Sequence, residues 1–211
     1  MLSPDELARA ERFHYAKDRS AFIIARAGLR WLLGKYLGCA PERLSFRYGA
    51  YGKPFIAGPG QGKLDFNLSH AGGYALVGFS SGQPIGVDLE AEDPTIEIER
   101  LTQRFFSTAE SRQVLALPPT DRVAAFFRTW TRKEAFLKAK GAGLNLPLSG
   151  FSVTVSLDAP VRIERINWAP EEAKNFTMSS FMVEAALPGG LVVEGQLSAL
   201  SFYNFPPRGT V

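Results

Sequence analysis

The sequence has very little cysteine: Cys39 is the only one in 211 residues. A single thiol cannot form an internal disulfide, so the chain must fold around an ordinary apolar core, which its length allows. The apolar neighbours of Cys39 predict a buried thiol rather than a reactive one. We therefore expect a reducing, cytoplasmic setting.

Long apolar runs and blocks of like charge are also absent. No stretch approaches the roughly 20 apolar residues that a membrane span needs, and residues 1–6 lack the basic-then-apolar order of a signal peptide. The formal charge is +3, without a block of lysine or arginine. These absences argue against a membrane protein and against a nucleic-acid partner, and they favour a small anionic ligand such as a phosphate compound.

Histidine is nearly as scarce, since His14 and His70 are the only two. A histidine-based zinc site therefore has little support. Ser69 directly precedes His70, but a Ser-His-acid hydrolase needs a nucleophile elbow, which the sequence lacks.

Hydrophobic periodicity predicts an α+β protein with two helical regions, each followed by strands. The first region covers residues 4–37. The second comprises residues 97–106, a capping box at Ser107 and Glu110, and a helix over residues 121–140.

Short apolar runs predict strands after each helical region. The predicted strands cover residues 64–68, 75–79, 85–89, 151–157, 161–166, 181–187 and 191–196, with a turn at residues 188–190. The tail from Pro206 is predicted to be loose. Because the order repeats, we expect two similar halves, residues 1–90 and 91–211, with a ligand cleft at their joint.

Asp88 and Glu90 are candidate metal ligands. They stand two apart on a predicted strand, so their side chains leave the same face. Two converging carboxylates suit Mg²⁺, which takes oxygen ligands and completes its shell with water and substrate phosphates. The alternative is a solvated strand end, where acidic pairs are common.

Glu134 stands on a helix face that is otherwise apolar, with Phe127, Trp130 and Leu137 around it. Burying an unpaired carboxylate is costly, so the pattern predicts a cation partner or an acid with a perturbed pKa in a cleft. The alternative is an ordinary surface ion pair with Lys138, one helical turn away.

A phosphate cradle is predicted at residues 66–73, where Phe-Asn-Leu-Ser-His-Ala-Gly-Gly runs from a strand into a glycine-rich turn. Backbone N–H groups, the Ser69 hydroxyl and the His70 imidazole could all meet phosphate oxygens there.

Five segments of the sequence form a recognisable set. The segments are Tyr51-Gly52-Lys53-Pro54, Phe66-Asn67-Leu68-Ser69-His70, Gly86-Val87-Asp88-Leu89-Glu90, Phe105-Phe106-Ser107, and Trp130 through Gly143. Together they resemble the 4'-phosphopantetheinyl transferases, specifically the type related to the surfactin-synthetase activator; they occur in the family's order and span nearly the whole chain.

The resemblance implies two α+β halves related by a pseudo-twofold axis, with coenzyme A bound at their joint. It implies transfer of 4'-phosphopantetheine from coenzyme A to a serine of an apo acyl or peptidyl carrier protein, with release of 3',5'-ADP. Mg²⁺ would be held by Asp88, Glu90 and Glu134, and catalytic roles would fall to Glu134, Lys138 and His70. The residues implied in coenzyme A binding are Arg9, Tyr51, Gly52, Lys53, Pro54, Ser69, His70, Lys133 and Lys138.

The sequence departs from the family pattern in three places. It starts almost directly at the first helix, without the family's leading strand, so either the N-terminus is trimmed or the first half's sheet is open at one edge. Ala21 stands where the family often has an arginine for the 3'-phosphate, so Arg19 or Arg26 would have to serve. Ala71 replaces a common serine, with little expected effect.

A surface for the carrier protein is predicted at residues 95–112. Ile98, Leu101 and Phe105 alternate there with arginines, a pattern that suits an acidic helical partner. The alternative, with equal weight, is an amphipathic helix that faces its own core.

Two other functional classes compete with the transferase. One is a non-catalytic module that binds coenzyme A or a carrier protein. The other is a metal-dependent pyrophosphatase or phosphodiesterase that uses the same acids. Neither class needs all five segments. We expect the protein to be a monomer.

Overall fold

The structure is a computed structural model that describes residues 1–58 and 60–205. The described residues form five α-helices and nine strands. The helices are α1 (Pro4–Glu11), α2 (Ala16–Leu37), α3 (Ile98–Phe105), α4 (Thr108–Ala116) and α5 (Pro119–Lys140). The strands are β1 (Ser45–Tyr48), β2 (Pro54–Ala57), β3 (Asp65–Ala71), β4 (Tyr74–Ser80), β5 (Ile85–Leu89), β6 (Phe151–Val153), β7 (Ile163–Ile166), β8 (Phe176–Glu184) and β9 (Leu187–Glu194). The predicted α+β class is confirmed, and the tail from Pro206 lies outside the described residues.

The first helical region, predicted over residues 4–37, consists of two helices, α1 and α2. The break allows α1 to lie against α2, where buried Glu6 accepts hydrogen bonds from Arg26 Nε and Arg30 Nε, both at 2.6 Å. Helix α2 ends at Gly38, whose φ of 65° is the left-handed conformation that glycine adopts easily. Ser107 and Glu110 form the predicted capping box at the start of α4.

The strands pair in four antiparallel groups within the described residues: β1 with β2, β3 with β4, β6 with β7, and β5 with β9 and then β8. The β1–β2 hairpin was not predicted, because β1 is short and mostly exposed and gives no strong alternation.

The predicted turn at residues 188–190 is wrong, because these residues lie inside β9. The turn into β9 is at Ala186, which has a φ of 56°. Gly189 and Gly190 instead allow β9 to pack closely against its neighbours. A Cβ atom on Gly190 would lie 2.5 Å from the carbonyl oxygen of Thr131 on α5, and one on Gly189 would overlap with the ring of Phe181.

Helix α5 lies against β5 and β9 and carries much of the core. Phe136, on α5, packs against Phe151 and Phe176 with ring centroids 4.8 and 5.1 Å apart. A separate cluster joins α2 to β3 through Leu29, Leu33 and Phe66. None of the helices in the part of the chain that the structure describes is long and apolar enough to cross a membrane.

The proposed boundary at residue 90 falls directly after β5. This strand precedes the boundary but pairs with β9, so that Asp88 lies opposite Gly190. The backbone therefore joins the two proposed halves through one sheet. The division into residues 1–90 and 91–211, and the pseudo-twofold relation between them, stay predictions.

Candidate active site

A cavity of about 330 Å³ opens where β3, β5 and α5 meet. It combines the three candidate metal ligands with a lysine, a histidine and a tryptophan. Its lining residues are Leu68, Ser69, His70, Asp88, Leu89, Glu90, Trp130, Glu134 and Lys138. The structure therefore brings together side chains that are up to 70 positions apart in the sequence.

Gly86 brings the two acidic segments together. A Cβ atom at this position would overlap with the carbonyl oxygen of Ala135 and the amide nitrogen of Ala139, so only glycine allows β5 to pass this close to α5. Asp88 follows two positions along β5, and Glu134 and Lys138 flank the contact on α5. Gly86 thus allows β5, which carries Asp88, to lie against α5, which carries Glu134.

Asp88 is 3% exposed and lines the cavity. Its Oδ1 accepts hydrogen bonds from Lys138 Nζ at 2.6 Å and from Ser69 Oγ at 2.9 Å. Its Oδ2 is buried and has no hydrogen-bond partner in the described structure. Burial raises the pKa of Asp88, while the charge of Lys138 opposes that shift.

Glu90 and Glu134 complete a group of three like charges. Burial raises the pKa of Glu90 to about 7, and the charges of Asp88 and Glu134 add to the shift. Burial also raises the pKa of Glu134, again with a contribution from Asp88. Each of the three carboxylates disfavours ionisation of the others, so a bound cation would stabilise their ionised forms.

The surface ion pair that was the alternative for Glu134 does not form. Lys138 Nζ instead donates hydrogen bonds to Asp88 Oδ1 and, at 3.0 Å, to Ser69 Oγ. Within residues 1–58 and 60–205, the side chain of Glu134 has no hydrogen bond or ion pair, although the charge of Lys138 acts to lower its pKa. Glu134 therefore faces the cavity as an acid without a bonded partner.

The three acids suit a divalent cation in their chemistry but do not form a closed ligand set. No group of three or more His, Cys, Asp or Glu side chains in the described residues has the geometry of a ready-made metal site. The fit rests on the buried, unpartnered Oδ2 of Asp88 and on the two neighbouring carboxylates with raised pKa values. A hard cation with oxygen ligands would satisfy all three groups.

Comparison with known proteins identifies the family. Residues 1–81 match a family described as 4'-phosphopantetheinyl transferase, N-terminal, and residues 84–185 match the 4'-phosphopantetheinyl transferase superfamily. The transferase HetI of Nostoc is 39% identical over 77% of this chain and 69% of its own length. The transferase Sfp of Bacillus subtilis is 34% identical over 77% of this chain and 70% of its own length. The chain belongs to the 4'-phosphopantetheinyl transferase family.

Membership of this family confirms the family predicted from the five sequence segments, and with it the class of enzyme. A Synechocystis relative, 40% identical over 69% of this chain, is matched over only 59% of its own length. A weaker similarity relates the chain to the holo-[acyl-carrier-protein] synthase of Thermotoga maritima, with 20% identity and a TM-score of 0.40 over 54% of this chain and 64% of the other. A similarity at that level does not establish a shared fold.

His70 and Ser69, both in the predicted phosphate cradle, differ in exposure and in hydrogen bonding. His70 is exposed and lines the cavity, so it is placed to meet a ligand. Ser69 is 8% exposed, and its hydroxyl is bonded to Asp88 and Lys138 rather than left free. The hydroxyl of Ser69 is thus engaged within the protein in this structure, and its contact with a phosphate stays a prediction.

Lys133 is also corrected, because it lies inside the protein. Its side chain is 0% exposed, and its Nζ donates to both carboxylate oxygens of Glu110 at 2.8 Å and to the carbonyl of Phe151 at 2.6 Å. Its neighbour in sequence, Glu134, faces the cavity, since adjacent helix positions point about 100° apart. Lys133 therefore joins α5 to α4 and does not line the cavity.

The segment Tyr51-Gly52-Lys53-Pro54 packs against the end of α5. A Cβ atom on Gly143 would lie 2.9 Å from Cβ of Tyr51, so this glycine allows the two loops to touch. Tyr51 is exposed, and Gly52 has a φ of 82° in the turn before Lys53. Tyr51, Gly52 and Pro54 as coenzyme A contacts stay predictions.

Lys53 is a structural link rather than a free cation. Its Nζ donates to the carbonyls of Ile85 at 2.9 Å and Ala139 at 3.5 Å, and it lies 3.8 Å from Asp65 Oδ1. Burial lowers the pKa of Lys53. The predicted contact between its charge and coenzyme A does not fit a side chain that already ties β5 to α5.

The arginines proposed for the 3'-phosphate are spread apart. Arg9 lines a different cavity, of about 530 Å³, together with Asp5, Arg12, Phe13 and Tyr48. Arg26 is buried and bonded to Glu6 and to the hydroxyl of Tyr48. Its charge is therefore already paired and does not replace the arginine that the family often has at the position of Ala21. Arg19 is exposed.

The apolar residues of the predicted carrier surface pack inward. Ile98, Leu101 and Phe105 contact the core cluster around Phe126, as the alternative interpretation held. Arg100 is exposed and paired with Glu97 at 2.9 Å. This segment could therefore contact a carrier protein through its charged side chains, but not through its apolar side chains.

Sequence reasoning missed two residues of the site. Trp130 lines the cavity together with Glu90 and Glu134; its spacing of four from Glu134 was the available signal. Asn67 is buried beside β5 and accepts a hydrogen bond from the backbone N–H of Val87 at 2.9 Å. Its only signal was a polar residue between apolar ones in β3.

Proposed function

We propose that this chain transfers 4'-phosphopantetheine from coenzyme A to a serine hydroxyl of an apo acyl or peptidyl carrier protein, with Mg²⁺ as cofactor and 3',5'-ADP as the second product. The observation that carries the proposal is the meeting of Asp88, Glu90, Glu134 and Lys138 in one cavity. The family gives the reaction class, and the cavity supplies the charges that this reaction needs.

Asp88, Glu90 and Glu134 would hold the magnesium ion. Bound there, Mg²⁺ would supply positive charge to neutralise the pyrophosphate of coenzyme A. Asp88 would contribute the oxygen that lacks a partner, Oδ2, while its Oδ1 keeps its bonds to Ser69 and Lys138. Metal binding would also favour the ionised form of Glu90, whose pKa is raised to about 7.

The chain's residues would position the reactants and accept one proton. The carrier serine oxygen forms a bond to the β-phosphorus of coenzyme A, and the bond from that phosphorus to the oxygen of 3',5'-ADP breaks. Glu134 would take the serine proton; its side chain lines the cavity, and its raised pKa supports this role. Lys138 would stabilise the negative charge on the departing phosphate.

No residue of the chain needs to act as a nucleophile. The Ser69 hydroxyl donates its proton to Asp88 and accepts from Lys138, so it is not activated by the exposed His70. We assign His70 to the phosphates of coenzyme A at the cavity mouth. Tyr51, Gly52 and Pro54 would border the adenine. Phosphoryl-type transfer relies on positioning and charge, which fits this arrangement.

The 3'-phosphate of coenzyme A needs a cation outside the cavity of acids. Arg9 and Arg12 line a separate cavity beside Tyr48, so we propose contact with the 3'-phosphate only through an extended coenzyme A that spans both cavities. A monomeric state, a cytoplasmic setting and the absence of a nucleic-acid partner stay predictions from the sequence.

The test is incubation of the protein with coenzyme A, Mg²⁺ and a panel of apo-carrier proteins, followed by intact mass measurement of each carrier. We expect at least one carrier to gain one phosphopantetheinyl group. Release of phosphopantetheine without a carrier would instead indicate a hydrolase. Binding of coenzyme A without any product would indicate a binding module.

A further inference from the structure

Arg26 bonds two groups at once, one inside the protein and one at its surface. The side chain is buried, and its Nε donates a hydrogen bond to Glu6 Oε1 at 2.6 Å. Its Nη2 donates to the hydroxyl oxygen of Tyr48 at 2.7 Å. The guanidinium also lies over the ring of Phe46, 4.7 Å from the centroid. These contacts hold Arg26 in an orientation in which one arm of its planar fork is directed at Tyr48.

The bond from Arg26 sets the direction of the Tyr48 hydroxyl. Arginine has donors only, so the tyrosine oxygen accepts in this bond and its own proton must point away from Arg26. Among residues 1–58 and 60–205, the hydroxyl bonds to Arg26 alone. Tyr48 is 41% exposed, so its proton is available to a group from outside the protein.

The second cavity, of about 530 Å³, combines Tyr48 with two arginines. Its other lining residues are Asp5, Arg9, Arg12 and Phe13. Both arginines are exposed, and neither forms an ion pair within the part of the chain that the structure describes. Because two unpaired cations outnumber one acid, the cavity suits an anionic group.

We propose that Tyr48 donates a hydrogen bond to the 3'-phosphate of coenzyme A, beside Arg9 and Arg12, and that Arg26 is the positioning residue that directs this donor. An ionised phosphate oxygen accepts hydrogen bonds, and bonds to charged groups are roughly twice as strong as neutral ones. The identity of the ligand rests on the proposed function. The cavity would then bind the 3'-phosphate without an arginine at the position of Ala21.

Arg26 does not contact the phosphate in this arrangement. Its Nε stays on Glu6, and it acts through the bond from its Nη2 to Tyr48. Arg9 and Arg12 supply the charge, while Tyr48 supplies a donor whose direction is already set before the ligand binds. A donor that is oriented in advance costs less to order on binding than a free one.

The test measures the preference for coenzyme A over dephospho-coenzyme A, which lacks only the 3'-phosphate. Calorimetry in EDTA, without a carrier protein, gives both affinities free of metal binding and transfer. The variants are Tyr48→Phe, Arg26→Lys, their double variant and Asp5→Asn, and circular dichroism checks that each is folded. Tyr36→Phe, which removes an exposed hydroxyl on α2, and Glu11→Gln, which removes an exposed acid outside the cavity lining, are the controls.

We expect the parent to prefer coenzyme A and Tyr48→Phe to lower this preference by about 10-fold, because the variant keeps the ring and loses only the donor. Its affinity for dephospho-coenzyme A should stay at the parent value, which a merely structural role would not predict. Asp5→Asn should raise the preference by about 2- to 5-fold, because it removes a negative charge from the cavity. Both controls should match the parent.

Arg26→Lys tests the positioning role. Lysine keeps a charge for Glu6 but lacks the planar fork that reaches Glu6 and Tyr48 together, so the preference should fall. In the Tyr48→Phe background the same substitution should cause no further loss, because Arg26 acts only through the hydroxyl. If Arg26→Lys does not fold, Arg26→Gln replaces it; its amide oxygen accepts the tyrosine proton and turns it inward, so the preference should fall there too.

Three results would overturn the proposal. The first is equal affinity of the parent for the two cofactors. The second is a folded Tyr48→Phe protein that keeps the parent's preference or that loses affinity for both cofactors alike. The third is an unchanged preference in Asp5→Asn, which would place the 3'-phosphate outside this cavity. A preference that is unchanged by substitution of Arg26, or that falls equally with and without the Tyr48 hydroxyl, would remove the positioning role.

The outcome is separable from that of the proposed function. If the preference for coenzyme A depends on Tyr48 but no apo-carrier gains a phosphopantetheinyl group, the proposed function fails and the assignment of Tyr48 stands. If the parent modifies a carrier and Tyr48→Phe keeps the parent's preference, the assignment fails alone. A parent that binds neither cofactor would overturn both.

Discussion

Gly86 lies directly against the carbonyl of Ala135, and this contact is the point at which β5 meets α5. The absence of a side chain at Gly86 allows the approach, since a Cβ atom there would overlap with backbone atoms of α5. Asp88 and Glu90 follow Gly86 on one side of the contact, and Glu134 precedes Ala135 on the other. The cavity that contains the three acids thus depends on Gly86, a residue that has no side chain.

Gly86→Ala should therefore damage both stability and activity. Backbone cannot move aside as a flexible side chain can, so we expect a loss of at least about 1–3 kcal/mol in the free energy of unfolding, the usual cost of overpacking. Urea denaturation measures the loss. Gly28→Ala is the control, because its Cβ would find ordinary contact 3.6 Å from the Phe205 ring and the site is helical; it should be neutral or stabilising. Parent-like stability in Gly86→Ala would refute the close contact.

Lys133 and Lys138 should give opposite phenotypes. Lys133→Met leaves the buried carboxylate of Glu110 without its cation, so we expect a loss of about 3–5 kcal/mol in stability. Lys138→Met removes the charge beside Asp88 and should lower turnover by about 100-fold; its loss of stability should be smaller than that of Lys133→Met, because Lys138 is part-exposed and Lys133 is fully buried.

Denaturation and steady-state kinetics distinguish these two lysines. The double variant Lys133→Met with Glu110→Gln should regain part of the stability, because no charge is then left buried. A stable Lys133→Met protein with weakened coenzyme A binding would restore the sequence-based role of Lys133 in the cofactor site.

Glu90 should make the metal-free protein less stable as pH rises. Because burial and the neighbouring acids raise its pKa from 4.5 to about 7, the native state holds the proton more tightly than the unfolded state does. The contribution of Glu90 is fully present below about pH 4.5 and is lost as pH rises through about 7. Glu90→Gln does not titrate, so in EDTA at pH 8 its Tm should exceed that of the parent.

The difference in Tm between Glu90→Gln and the parent should close towards pH 5, as calorimetric scans from pH 5 to 9 will show. Glu99→Gln, at an exposed position on α3, is the control and should follow the parent at every pH. A difference that grows as the pH falls would contradict the raised pKa.

Glu6 should have the opposite pH dependence. Burial alone would raise its pKa, but the hydrogen bonds from the Ser3 backbone, Arg30 and Arg26 outweigh this and lower the pKa. Its contribution to stability is present above about pH 4.5 and is lost as pH falls through the lowered pKa. Glu6→Gln should lose about 3–5 kcal/mol at pH 7, because two guanidinium groups then stay buried without a carboxylate.

The cost of Glu6→Gln should shrink in acid, where the parent also loses the charge. Urea denaturation in steps from pH 7 down to about pH 3 measures how the cost changes. Glu11→Gln, an exposed position on the same helix, should have no such effect. A cost that stays constant over this range would argue against ionised Glu6.

Local patterns in the sequence predicted the elements on which the cavity is built. The strand with Asp88, the helix with Glu134 and the capping box at Ser107 all follow from spacing and local chemistry, and the structure has each of them. The break between α1 and α2 did not follow, because it is favoured by a long-range contact of Glu6 with Arg26 and Arg30.

The roles of the polar residues were harder to predict than their positions. Lys133 and Lys138 both belong to a segment that resembles the transferase family, yet one is buried on Glu110 and the other faces the cavity. Which lysine finds an internal partner depends on packing between helices that are distant in sequence. The same holds for Ser69, whose hydroxyl is bonded to a residue 19 positions away.

The most direct test of this account measures two products of one reaction. Parent protein, coenzyme A, Mg²⁺ and an apo-carrier are mixed, and the holo-carrier is measured by intact mass while 3',5'-ADP is measured by chromatography. We predict that the two products appear in equal amounts, that neither forms without the carrier, and that a folded Asp88→Asn protein makes neither. Formation of 3',5'-ADP without the carrier, or equal product from parent and Asp88→Asn, would contradict the proposal that this cavity of acids transfers phosphopantetheine.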